Sequence, residues 1–309
     1  MKIMTTWFRL FLTVALIFSI TCSKDSPTEP KVETVVETTR HVIVFGLDGV
    51  RSDGLQAAST PSIDALIENG AVSYTAFAGG FRDTPSQQAT SSGPGWSSIL
   101  TGVWVDKHNV TNNSFDGSNY ANYPHFFKRI RQAMPEAFLS SIVHWNPINQ
   151  YILSDEDHKT NGSDQLVALQ TLLLLEKNDP TVVFLHFDDV DGAGHSNGFT
   201  PANSDYLAAI TEVDRHVGSV VRGVEKRANF QNEEWLFIVT ADHGGFGGSH
   251  GGQSDGERTI FIVVSGPGTL SGELGESPGM VAVPPTVLTF LNIPIDPAWG
   301  WESAAFGLQ

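Results

Sequence analysis

Asp242 and His243 stand side by side just beyond the apolar, β-branched run 235–239, and His250 follows across a glycine-rich segment. Two other stretches repeat the pattern. Asp48-Gly49 closes the apolar run 41–47, and Asp188, Asp189, Asp191 and His195 follow the run 181–187. Carboxylates and imidazoles together form a donor set for Zn²⁺, and also for Mn²⁺ or Fe. A single Asp-Gly pair is an ordinary turn. Three clusters, each at the end of an apolar run, are much harder to attribute to chance. A fourth stretch carries three adjacent hydroxyls, Thr90-Ser91-Ser92, ahead of Gly93-Pro94-Gly95-Trp96. A helix starting near Pro94 and stopping at Gly102 would set Ser92 at its N-terminus, where free N–H groups favour an anion. That suits a nucleophilic hydroxyl, although Ser92 taken alone reads more readily as a helix cap.

The elements that must position these groups alternate. Strands are expected at 41–47, 138–143, 181–187, 235–239 and 259–264, and helices at 60–70, 94–102, 124–134, 164–177, 204–227 and 285–291. In the first helix Thr60 is placed to cap, Pro61 fits the first turn and Gly70 can end it. Apolar strands separated by helices imply an α/β fold with a mostly parallel sheet covered on both faces. Ligands of such sheets bind beyond the carboxyl ends of the strands, where the Asp/His clusters fall. No internal repeat or second linker appears, so one domain is expected over 40–309.

The chain has 309 residues, 40% of them hydrophobic, enough for a large core. Its formal net charge of −16 argues against a nucleic-acid-binding surface. An anionic substrate stays compatible, because bound metal reverses the local field. Lys2 and Arg9 precede an apolar stretch, 11–20, that is short for a membrane span. Cys22, the only cysteine, follows. This resembles a bacterial lipoprotein signal over 1–21, with Thr21 a relaxed match before a lipidated Cys22. The polar, proline-containing segment 22–39 reads as a flexible tether. The protein is therefore expected at the bacterial cell envelope, joined to the membrane through a lipid on Cys22. With one cysteine it has no internal disulfide.

Asp48, Ser92-x-Pro94 followed by Leu100-Thr101-Gly102, Asp191-x-x-Gly194-His195, Asp242-His243-Gly244 and His250 together resemble the alkaline phosphatase superfamily, and within it the type I phosphodiesterase/nucleotide pyrophosphatase family. The resemblance implies an alkaline phosphatase-like three-layer α/β/α sandwich. It implies two Zn²⁺ per chain: Asp48, Asp242 and His243 would hold one with the Ser92 oxygen, and Asp191, His195 and His250 the other. The family's Asp-x-x-x-His spacing selects Asp191 over Asp188 and Asp189. Asn113, in His108-x-x-x-x-Asn, matches an asparagine that hydrogen-bonds a phosphoryl oxygen. Ser92 would attack phosphorus and form a phosphoryl-serine between two metals about 3.5–4 Å apart. The chain departs from the family after the nucleophile, where Gly95 and Trp96 replace groups expected near the substrate. Ser-x-Pro is also a sulfatase feature, but the arginine that follows in sulfatases is Trp96 here.

These features point to a metal-dependent hydrolase of small phosphate esters, with phosphodiesters favoured. A phosphomonoesterase and a serine-type sulfatase are the enzymatic alternatives. A surface lipoprotein that keeps the fold for binding only is the alternative of another class.

Overall fold

The computed structural model describes residues 38–309. The signal, Cys22 and nearly all of the expected tether lie outside the described residues. The tether ends earlier than expected, because Thr39 already pairs with Glu233 in the first strand.

In chain order the strands are β1 (Thr39–Leu47), β2 (Gly70–Phe77), β3 (Leu139–Val143), β4 (His158–Asn161), β5 (Val182–Phe187), β6 (Glu233–Thr240), β7 (Thr259–Ser265) and the short β8 (Gly272–Glu273). The helices are α1 (Ser52–Ala57), α2 (Pro61–Glu68), α3 (Ser92–Thr101), α4 (Val105–His108), α5 (Phe126–Ala133), α6 (Asp164–Lys177), α7 (Asp189–Asn197), α8 (Ser204–Glu225), α9 (Asp255–Arg258) and α10 (Val283–Phe290). The strands form one sheet in the order β4-β3-β5-β1-β6-β7-β2-β8. Every neighbouring pair is parallel except those that β7 makes with β6 and β2. The fold is a three-layer α/β/α sandwich around a mostly parallel sheet. One helical group gathers on α8, which packs against α1, α2, α6 and α7, and another gathers α4 and α10 around α3.

The central strands are apolar because both of their faces are covered. Val42, Ile43, Val44 and Phe45 of β1 are all fully buried, as are Val182–Leu185 in β5. Placing β1 between β5 and β6 aligns their carboxyl ends: Gly46 lies opposite both His186 and Thr240. Three strands that are far apart in sequence thus deliver their terminal residues to one spot.

Some local expectations change. Asn69 follows the end of α2, and Gly70 is the first residue of β2 rather than a helix stop. A Cβ there would come within 2.3 Å of the Val264 carbonyl oxygen, so strand pairing requires the glycine. Thr60 precedes α2, but its hydroxyl donates to the Asp64 carboxylate and caps no backbone N–H. α3 begins at Ser92, with Ser91 in extended backbone ahead of it. The stretch 189–197, to which no element was assigned from the sequence, is helix α7.

Candidate active site

Asp48 follows β1 and Asp242 follows β6, so strand register sets them next to each other. The Gly49 N–H donates to Asp242 Oδ1 at 3.3 Å. α7 supplies the third group. Asp191 and His195 are four residues apart and share one helix face, with Asp191 Oδ2 at 3.2 Å from His195 Nε2. His250 completes the cluster from the glycine-rich loop after β6, its Nε2 at 3.6 Å from Asp191 Oδ1 and 3.1 Å from His195 Nε2. His243 Nε2 lies 3.4 Å from Asp48 Oδ1 and 3.3 Å from Asp242 Oδ2. All six expected Asp and His residues converge. Asp189 does not join them and faces His144 at 3.6 Å, whereas Asp188 borders the cluster, its carboxylate grouped with Asp48 and His186.

The hydrogen bonds prepare this cluster for a cation. His243 Nδ1 donates to the Gly244 carbonyl at 2.8 Å, His250 Nδ1 to Thr90 at 3.1 Å and His195 Nδ1 to Gly248 at 3.0 Å. A carbonyl only accepts, so each Nδ1 carries a proton; burial lowers His243 and His250, so their Nε2 atoms present lone pairs. The carboxylates match. Asp48 Oδ1, Asp191 Oδ1 and Asp242 Oδ2 are buried without a hydrogen-bond partner. Orphaned buried carboxylate oxygens are costly unless something positive meets them. Donor types and orphaned oxygens therefore fit the expected Zn²⁺: Asp48, Asp242 and His243 group together, and Asp191 and His250 group with His243 as well.

The electrostatics show the same need. Burial, then the charges of Asp48 and Asp188, pushes the Asp191 carboxyl up to about 9. Burial, with Asp48 and Asp191 nearby, holds Asp242 well above the usual carboxylate range. Burial alone would also raise Asp48, but the hydrogen bond from His186, the neighbouring histidines and Trp96 hold it well below that range. Burial takes His243 down to about 4. Without a cation, Asp191 and Asp242 hold their protons and Asp48 carries the charge; a divalent ion would displace those protons and stabilise the ionised carboxylates.

Of the three adjacent hydroxyls, one faces this pocket. Ser92 is buried at the start of α3 with its Oγ 3.5 Å from His243 Nε2. The Thr90 hydroxyl donates to the Gly252 carbonyl at 2.9 Å and accepts from the Gly251 N–H at 3.1 Å, so it is committed to the His250 loop. Ser91 belongs to the extended approach to the helix. Asn113 is exposed beside Ser92, its Oδ1 accepting the Gly93 N–H at 2.7 Å. Its carboxamide oxygen is thereby fixed and its NH₂ remains a donor. A Cβ on Gly93 would meet the Asn112 carbonyl oxygen at 2.7 Å, so this glycine admits the 112–113 loop.

Residues 42–138 and 119–250 match the model of the type I phosphodiesterase/nucleotide pyrophosphatase family, so the match runs from β1 through His250. The chain belongs to that family. Mouse ectonucleotide pyrophosphatase/phosphodiesterase family member 3 is 25% identical over 228 residues, covering 66% of this chain and 24% of its own length. GPI ethanolamine phosphate transferase 1 of Yarrowia lipolytica is 36% identical over 109 residues, covering 35% of this chain and 11% of its own. The chain therefore spans a quarter or less of these relatives. In fold it is similar to murine ectonucleotide pyrophosphatase/phosphodiesterase 5, with a TM-score of 0.63 at 14% identity over 83% of this chain and 96% of that one. The phosphonate monoester hydrolase of Agrobacterium radiobacter gives 0.60 at 14% identity over 82% and 74%.

In this phosphodiesterase-family chain Gly95 and Trp96, the residues that depart from the family pattern, pack against Asp242 and Asp48. Trp96 is fully buried and its indole N–H donates to Asp48 Oδ2 at 3.0 Å. A Cβ on Gly95 would sit 2.9 Å from the Asp242 side chain, so the glycine lets α3 pack against that carboxylate. His186, which sequence reasoning passed over, is a fully buried neighbour of Asp48. Its one signal was a lone polar residue in an apolar run buried on both faces.

Proposed function

We propose that this chain hydrolyses phosphate esters, diesters in preference to monoesters, at two transition-metal ions, with zinc the first choice. The observation that carries the reading is the convergence of three Nε2 atoms and three orphaned carboxylate oxygens beside the Ser92 hydroxyl. Ions held by Asp48, Asp242 and His243, and by Asp191, His195 and His250, would stabilise charge on the attacking and leaving oxygens of an in-line displacement. Ser92 Oγ attacks phosphorus, its bond to phosphorus forms as the ester O–P bond breaks, and the alcohol departs with the electron pair and gains a proton. Water then attacks the phosphoryl-serine, releasing the phosphate product and returning the Ser92 hydroxyl. The Asn113 NH₂ and the N–H groups opening α3 would hold the non-reacting phosphoryl oxygens. The family match and the phosphodiesterase relatives support the diester preference.

We further propose that the signal-like N-terminus and Cys22 place the enzyme at the cell envelope on a lipid anchor. The basic start, the short apolar stretch and the single cysteine support this.

Metal analysis and a panel of aryl phosphodiester, phosphomonoester and sulfate substrates test the function. The expected result is close to two metal ions per chain, loss of turnover with a chelator, and the largest kcat/KM on the diester. Full activity of a metal-free preparation would overturn it.

A further inference from the structure

Asp48 is held by two donors on the same oxygen. Trp96 Nε1 reaches Oδ2 at 3.0 Å and His186 Nε2 reaches it at 3.1 Å. His186 is fixed in the required tautomer, because its Nδ1 accepts the Trp145 N–H at 3.3 Å and its single proton therefore lies on Nε2. The two rings also pack edge to face, centroids 4.8 Å apart, so each donor braces the other. Both residues are fully buried. Oδ1, left without a partner, is the oxygen nearest His243 Nε2.

The clamp depends on one glycine. A Cβ on Gly46 would stand 2.5 Å from Trp96 Cη2 and 2.6 Å from Cζ3. Any larger residue there would push the indole off its line to Asp48. β1 thus supplies both the carboxylate and, two residues earlier, the space its donor occupies.

We propose that Trp96 and His186 are positioning residues that lock Asp48 through Oδ2 and so aim Oδ1 at the metal shared with Asp242 and His243. The inference rests on the reading of Asp48 as a metal ligand. Losing a residue that orients a ligand typically weakens metal binding about 10–100-fold. Neither donor contacts the other group of ligands, so only one of two ions should respond.

The test is zinc affinity of the full mature chain, read by competition with a chromogenic chelator, with far-UV circular dichroism as the folding control. Trp96→Phe keeps an aromatic ring and removes the N–H donor. It should weaken one zinc site about 10–100-fold and leave the other unchanged. His186→Met should do the same. His186→Gln, whose amide NH₂ can stand where Nε2–H does, should restore most of the affinity. Gly46→Ala should weaken the same site in the native background and add little when combined with Trp96→Phe, because phenylalanine lacks the atoms that Cβ would strike. Unchanged zinc affinity in folded Trp96→Phe and His186→Met would overturn the proposal. If Trp96→Phe does not fold, the His186→Met and His186→Gln pair decides the matter. Asp48→Asn separates the underlying reading: if it leaves both zinc affinities unchanged, Asp48 is not a ligand and that reading fails first.

Discussion

The Nε2 atoms of His195 and His250 lie 3.1 Å apart, although both rings have given their Nδ1 protons to backbone carbonyls. Two lone pairs that close repel each other. A bound cation, or a proton on one of the two nitrogens, would relieve that repulsion.

Removing one side of that contact should remove one ion. His250→Ala is expected to reduce the metal content from near two ions per chain to near one and to abolish turnover, while circular dichroism stays native. Asp242→Asn should have the matching effect on the other ion. Elemental analysis after gel filtration makes the measurement, and an unaltered stoichiometry in both variants would refute the ligand assignment.

Ser92→Ala should keep the fold and the metals and lose turnover by a factor on the order of 10⁶, as when a covalent nucleophile is deleted from a catalytic unit. Ser91→Ala should remain active. Thr90→Ala should act through stability, because its hydroxyl bonds the 251–252 backbone. Single-turnover assays with acid trapping of phosphoryl-enzyme distinguish these cases. A dead Ser91→Ala beside an active Ser92→Ala would move the nucleophile.

Asn113→Ala should reduce kcat by about 10²–10³, the usual cost of one donor to a developing oxyanion, with little change in KM. Metal content should not move, since Asn113 contacts the Gly93 N–H and none of the six ligands. An effect confined to KM would assign Asn113 to substrate binding instead.

The metal-free protein should become less stable as pH rises from about 7 to about 9. Burial, then Asp48 and Asp188, raises Asp191 from 3.8 to about 9, so the folded state keeps a proton that the unfolded chain releases. Stability from a raised carboxylate is fully present below 3.8 and is lost as pH climbs through the folded value. Asp242 is shifted in the same direction. Asp48 is lowered, so its contribution is lost only under more acid conditions. His243 and His250 are lowered from 6.5, and their effects finish below this window. The loss is at most about 1.4 kcal/mol per pH unit for each proton released, or a few degrees in Tm. Zinc should flatten the profile, because it stabilises the ionised carboxylates. Thermal melts with and without chelator give the comparison, and a chelated profile that rises over this range would contradict the protonation states.

Much of this arrangement was legible because apolar runs ending in Asp or His announce both a buried strand and its functional end. β1, β5 and β6 were readable in that way, and α6 matched its expected span from Asp164 to Lys177. α7 was not, since Asp189–Asn197 contains Gly192 and Gly194 and has no apolar stripe. Its start is fixed from outside: Asp164, distant in sequence, accepts the N–H groups of Asp188 and Asp189. β2 was hidden because Gly70 looked like a helix stop until its approach to the Val264 carbonyl was known. The bond from Trp96 to Asp48 was hidden, because spacing along α3 does not reveal that Gly46 leaves room for an indole below it.

The placement of β1 at the middle of the sheet has a consequence for biogenesis. Val42 is among the first of the described residues to be synthesised, yet its partners are Val182 and Leu236. Until those segments emerge, β1 is an apolar ribbon with both edges open, prone to pairing with other nascent chains. Closing such distant pairings is slow. Any chain released before β6 would lack Asp242, His243 and His250 together with the strand that seals β1. Truncation should therefore yield aggregates, with no half-built catalyst among them.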